Sequence, residues 1–466
     1  MKDIAKKPVS VKEYLLVLLV LCICLTGALL LPVDQCPDEA GRRFLSNWIV
    51  EHRELPTGDE LGTMIMSWED ASAEAPRIVP GAEYQGWGFS YALRPFLSSM
   101  VGALFQMLTA CFTDSPRMLL AASRMCSVLP VTLCCFFCLR MGHRLFERRS
   151  SAVLLPVLVC FLPQVMFLGM YQNNDSLSLC AVSMMLYYLV EGYDSKWTVK
   201  SCIGLAVSFS LGLLSYYSIY GWILMGAVFC ILAVSTDPAI HGKGRLILKR
   251  GLLIFGICLF LAGWFFVRNA WLHNGDFLGI DSEAVSRSRM EALGYRLFNY
   301  VRYRDEGVSI PAFLLMNRFW WLRMTLMSFV GVFGYMNIML PSVLYFLYAL
   351  VIAGGMVLFA VSLSRQRLAR RDRLMMLLLL STSVITFLLH FWQSYARDLQ
   401  PQGRYIITLV LPLGYMLAYG LDKFPKRINA RLYLAPVLTC VWLALFVWAA
   451  LGTMTKMLPW LQINMA

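Results

Sequence analysis

About eleven stretches of this 466-residue chain are apolar for close to the twenty residues that a helix needs to cross a hydrocarbon core roughly 30 Å thick. Lipid offers backbone N–H and C=O groups no partners, so runs of this kind are helices packed on one another. Composition agrees: 59% of the residues are hydrophobic, and the mean hydropathy is +0.62. The chain reads as an all-α polytopic membrane protein, one helical bundle over residues 1–466 with no soluble domain, low-complexity segment or internal repeat.

The net charge of +13 comes from short basic clusters between apolar runs, at Lys2 to Lys12, Arg140 to Arg149, Lys196 to Lys200, Lys243 to Arg250, Arg365 to Arg373 and Lys423 to Arg431. These hold 23 of the 41 Lys and Arg residues, and short basic loops stay on the cytoplasmic side, beside anionic lipid. Nucleic acid is excluded as a partner, since no polar domain interleaves basic and aromatic residues. The N-terminal run, from about Tyr14 to Leu31, has no small-x-small cleavage site after it and reads as a retained helix.

Placing all six clusters inside fixes the topology. Crossings are expected at about 14–32, 117–139, 152–170, 177–192, 201–217, 222–236, 251–271, 341–362, 374–392, 405–421 and 432–454, with the N-terminus cytoplasmic and the C-terminus outside. Residues 91–112 and 313–335 are also apolar, but if either crossed, a basic cluster would face outward. They are expected to be interfacial or re-entrant. Two long segments are then extracytoplasmic. In the first, 33–116, residues 33–90 carry eleven Asp and Glu against four Arg; the second, 272–340, carries Arg287, Arg289, Arg296, Arg302, Arg304, Arg318 and Arg323. Those arginines suit either a solvated surface or a phosphate-binding one.

Polar residues converge on that outer face. Asp34, Asp38 and Glu39 follow the first helix, and Arg42 shares a helical face with Asp38. A carboxylate there could take a proton from a hydroxyl while its arginine neighbour keeps it ionised, unless it simply solvates a helix end. Asp175 ends the turn Gln172-Asn173-Asn174, which turn chemistry alone could explain; with Asp38 it could instead hold a divalent cation such as Mg, Mn or Zn. Arg124, Arg268 and the Arg404-Tyr405 pair complete the set, Arg124 two turns inside a helix where a charge is costly unless paired or functional. The five histidines are scattered without metal-ligand spacing, and no GxxxxGK[ST] or GxGxxG loop marks a nucleotide site. The cysteines lie mostly inside apolar runs and read as packed thiols, with Cys36 and Cys111 the one pair that outer-face chemistry could bridge.

Read in order, PDEAGRRF (37–44) with LPTG (55–58), Arg124, NNDSL (173–177), FFVRNAWLHNGDFLG (265–279), SFVGVFGYMNIMLP (328–341) and QGRYIITLVLP (402–412) resemble the GT-C superfamily of polytopic glycosyltransferases. The similarity is to a largely uncharacterised bacterial branch, and more distantly to lipid A aminoarabinose transferases and protein mannosyltransferases. It implies a GT-C-like bundle with extracytoplasmic interfacial helices in a bacterial cytoplasmic membrane. The implied reaction takes a sugar from a polyprenyl-phosphate donor to a hydroxyl of a cell-envelope glycan or lipid, with inversion, on the extracytoplasmic face. It also implies that Asp38, with Glu39 beside it, is the catalytic base and that Asp175 serves metal or phosphate. Arg268, Arg404, Arg124 and Tyr405 are then expected at the donor phosphate. Where many relatives carry a Lys, this chain has Ser215, Tyr216 and Tyr217, and of two usual prolines it has only Pro95. A flippase or a polymerase of lipid-linked sugars would use a similar bundle, but transporters place polar sites near the midplane, and here they crowd one face.

Overall fold

A computed structural model describes residues 8–33, 35–57, 91–285, 302–365, 367–424 and 431–463, with the side chains of 431, 455 and 457–463 excepted. Asp34, Arg287, Arg289 and Arg296 lie outside the described residues. The described chain is a helical bundle: α1 Tyr14–Leu30, α2 Glu39–His52, α3 Leu97–Ala110, α4 Pro116–Ser123, α5 Met125–Leu145, α6 Arg149–Cys160, α7 Pro163–Leu168, α8 Asp175–Asp194, α9 Val199–Leu213, α10 Tyr220–Ser235, α11 Lys243–Leu272, α12 Ile310–Gly331, α13 Ser342–Ser364, α14 Arg370–Ala396, α15 Val410–Asp422 and α16 Arg431–Ile463. A two-residue antiparallel pair, Val332–Phe333 with Ile338–Met339, sits between α12 and α13.

Eight helices among the described residues are long and apolar enough to span, by length and composition: Val11–Leu30, Met125–Leu145, Tyr217–Ser235, Lys243–Leu272, Ser342–Ser364, Arg370–Ala396, Gly403–Asp422 and Leu432–Met454. This is a multi-pass membrane protein. The three other expected crossings also hold helices, but shorter, broken or less apolar ones. Pro163 divides the run at 152–170, because Leu162 before it is extended and proline then starts α7 at its first turn. α8 carries Ser176, Ser178, Ser183 and Glu191, and α9 has only 15 residues. α3 is 14 residues, about 21 Å, too short to cross. α12 is no single rod either: Met316 to Phe319 are non-helical, three of them left-handed.

α8 packs against α5 and α9 in the interior, while α6 packs on α15. Both α6 and α8 are mostly buried. α11 does the opposite, exposing Phe255, Phe260, Val267 and Trp271 as a lipid-facing helix would. At one end of the bundle four of the six basic clusters share acidic partners. Asp194 takes Arg144 (3.7 Å) and Arg371 (3.4 Å), Asp237 takes Lys196 (2.6 Å) and Arg370 (3.6 Å), and Lys423 meets Glu147. Asp422 accepts from the N–H groups of Glu147 (3.2 Å) and Arg148 (2.9 Å), which precede α6. No disulfide joins any of the fourteen cysteines, so the Cys36–Cys111 bridge is not made: Cys36 is buried and Cys111 exposed.

Candidate active site

The other end of the bundle holds an acid–arginine cluster. Asp38 is the N-cap of α2 in left-handed backbone, φ 62°, a conformation that aspartate tolerates better than most residues. Its carbonyl accepts the Arg42 N–H at 3.2 Å and so starts the helix. Its side chain does not cap the helix. Instead one carboxylate oxygen lies 2.9 Å from Arg404 Nη2, and the other accepts from Tyr91 Oη at 3.1 Å. Arg404 Nη1 lies 3.8 Å from Asp175, so one guanidinium bridges the two carboxylates. Arg404 is held in turn by Gln402 Oε1 at 2.7 Å and stacks over the Tyr405 ring, 4.8 Å to the centroid. Arg42 lies over Tyr91 at 4.9 Å, and its Nε is buried without a hydrogen-bond partner among the described residues.

Why Arg404 arrives there is local. Gly403 passes so close to α12 that a Cβ would stand 2.1 Å from the Phe329 nitrogen, and its N–H donates to Ser328 Oγ at 2.6 Å. Asp175 is the first residue of α8, ahead of its apolar run; Asn173 Oδ1 caps the turn by accepting the Ser176 N–H at 2.8 Å. The Asp38 side chain is 30% exposed, against 11% for Asp175 and 5% for Arg404, so Asp38 is the member open to a substrate.

The environments push the two carboxyls apart. Burial pushes the Asp38 carboxyl up, but Arg404 and Arg42 outweigh it and hold the group below its ordinary value. At Asp175 burial wins over the same two arginines and raises it. The same cluster thus favours the ionised form at Asp38 and the protonated form at Asp175, and carboxyls pushed apart in this way suit different roles in proton transfer.

Glu39 and Arg124 are elsewhere engaged. Arg124 Nε and Nη2 meet the two Glu39 oxygens at 2.7 and 2.9 Å, Nη1 donates to the carbonyls of Ala28 (2.9 Å) and Leu31 (2.7 Å), and Nη2 to Pro32 (2.8 Å). Those five bonds take all five guanidinium N–H groups, and neither side chain is exposed. The expectation of Arg124 at a donor phosphate therefore gives way to a structural pin between α1 and α2. Arg268 Nη2 grips the carbonyls of Leu55 (3.0 Å) and Pro56 (2.6 Å) at the end of the segment after α2. The cation expected at Asp175 and Asp38 meets the Arg404 guanidinium in its place, and no group of three His, Cys, Asp or Glu among the described residues could hold a metal.

Residues 92–413 match the family described as "Predicted membrane protein (DUF2142)". The chain belongs to the DUF2142 family. No curated protein matches it. Among solved structures it is similar to the oligosaccharyltransferase of Archaeoglobus fulgidus in complex with Zn and sulfate, at 12% identity and a TM-score of 0.50, covering 94% of this chain and 53% of that one. The same enzyme tethered to an acceptor peptide containing the NVT sequon gives 12% identity and a TM-score of 0.53, over 95% and 55%. Identity this low establishes likeness of fold alone, and the chain spans about half the length of those structures.

The DUF2142 match takes in Asp175, Arg268, Arg404 and Tyr405 and leaves Asp38 and Glu39 outside it. Residues not anticipated as part of this DUF2142 site include Tyr91, 53 positions from the Asp38 that it contacts. Glu283 is another: it meets Arg94 across 189 positions and fastens the start of the segment after α11 beside Tyr91. Only the quoted Tyr216, whose ring is parallel to that of Tyr405 with centroids 6.4 Å apart, had a signal, as an aromatic in place of a lysine.

Proposed function

We propose that this DUF2142 protein is a glycosyltransferase that moves a sugar from a polyprenyl-phosphate donor to a hydroxyl of a cell-envelope glycan or lipid. It works on the extracytoplasmic face of a bacterial cytoplasmic membrane, with its N-terminus inside. The observation that carries this reading is the partly open Asp38 carboxylate, ionised and oriented by Arg404 and Tyr91, at the end of the bundle away from the basic clusters. Asp38 takes the proton of the acceptor hydroxyl as its oxygen attacks the anomeric carbon. The bond from that carbon to the phosphate oxygen breaks, and Arg404 stabilises the leaving phosphate. Inversion follows from the GT-C resemblance.

Between the two adjacent carboxyls the base is Asp38, because both Glu39 oxygens are spent on Arg124. Arg124 and Arg268 act as framework. Purified Asp38→Asn should fold and lose transfer by at least about a hundredfold, the usual contribution of a general base. Near wild-type transfer in a correctly folded variant would remove Asp38 from this role.

A further inference from the structure

The GT-C reading leaves open how the negative charge of the donor is met, and the cluster answers with its own residues. A divalent cation needs several oxygen ligands converging on one point. Here the two nearby carboxylates converge instead on Arg404, at 2.9 and 3.8 Å, and the third, Glu39, is closed off by Arg124. Arg404 cannot easily swing aside. Gln402 and the Tyr405 ring hold it, and its backbone neighbour Gly403 is wedged against Phe329. Arg42 adds a second fixed positive charge, 5% exposed, with its Nε unpaired among the described residues.

We infer that Arg404, with Arg42, stands where a divalent cation would act, so that the site binds a lipid monophosphate without metal and takes monophosphate-linked rather than diphosphate-linked donors. This rests on the glycosyltransferase reading above. Arg404 lies between both carboxylates and the buried Arg42 Nε has no hydrogen-bond partner among the described residues, so the cluster holds donors for one phosphate, and burial of Asp175 favours its neutral form beside that charge. A diphosphate brings more charge, and the next described arginine beside Tyr91 and Tyr216, Arg94, is already paired with Glu283. A metal ion would have to displace a buried guanidinium from two partners and face the positive charge of Arg42.

Binding of a polyprenyl monophosphate and of a polyprenyl diphosphate to the full-length protein in nanodiscs tests this, in EDTA and in Mn2+, with Mn2+ binding to the protein alone followed by electron paramagnetic resonance. Monophosphate affinity should agree within about twofold between EDTA and Mn2+, exceed that for the diphosphate, and fall at least about tenfold in Arg404→Gln without rescue by Mn2+. Arg404→Lys, which keeps the charge, should retain part of the affinity, and the resonance measurement on wild-type protein needs no variant to fold. Monophosphate binding only with Mn2+, diphosphate binding as tight as monophosphate, or a bound Mn2+ lost on Asp175→Asn would overturn the inference and leave the glycosyltransferase reading standing. No binding of either lipid in either condition would overturn both.

Discussion

Glu39 and Arg124 face each other through two hydrogen bonds, 2.7 and 2.9 Å, and neither side chain reaches solvent. Although Glu39 adjoins Asp38, the pair locks α2 to the end of α1 through the Ala28, Leu31 and Pro32 carbonyls. Removing one member leaves a buried, uncompensated charge. Glu39→Gln should therefore cost about 3–5 kcal/mol of stability. Thermal unfolding in detergent followed by size exclusion would read this, with Asp38→Asn unfolding near the wild type.

Transfer should depend on pH through Asp38. Burial raises its carboxyl, and Arg404 and Arg42 more than offset that, so its folded value is depressed. For a depressed carboxyl, the stabilisation of the ionised form is complete above the unfolded value and is lost as pH falls through the folded one. The rate should stay level through neutral pH and drop only below the ordinary aspartate value of about 3.9. Arg404→Gln removes the larger opposing charge, so whatever activity remains should show its acid limb at higher pH. A pH–rate profile of both proteins decides it.

Gly403 has no room for a side chain, since an added Cβ would meet the backbone of Phe329 at 2.1 Å and of Thr325 at 2.5 Å. Gly403→Ala should push the Gln402–Tyr405 turn off α12, costing about 1–3 kcal/mol and displacing Arg404. Transfer should fall with it. Gly354→Ala, with nothing within 4 Å of the new methyl, serves as the control and should melt no lower than wild type.

Cys111, exposed at the end of α3, reports which side of the membrane the cluster faces. A membrane-impermeant maleimide added to intact cells should label it, and Cys111→Ser should abolish that signal. Labelling only after the cells are opened would reverse the orientation derived from the basic clusters.

Much of this architecture was legible in the chain. Apolar length marks the long helices, and the pattern of basic loops assigns Asp38, Asp175 and Arg404 to one face, where Arg404 meets both carboxylates. Asp38 and Glu39 could not be told apart, because the distinction lies in Arg124, 85 positions from Glu39, and in where its five N–H groups go. Tyr91 and Glu283 left no local trace for the same reason: their roles exist only once distant segments meet. Arg124 and Arg268 read as site residues since a charge near lipid is costly, yet that cost can be met by carbonyls of the fold as well as by a ligand. The break at Pro163 escapes a reading by apolar length, because the run from 152 to 170 is long enough to cross as one helix.

α8 is gripped at both ends by arginines from the C-terminal half, Arg404 at Asp175 and Arg371 at Asp194. Its 20 residues rise about 30 Å, close to the depth of the oily layer itself. The helix thus works as a ruler pinned at each tip. A thinner or thicker bilayer would be accommodated by tilt in outer helices such as α11, and the spacing between the acid cluster and the basic end would stay constant as lipid composition changes.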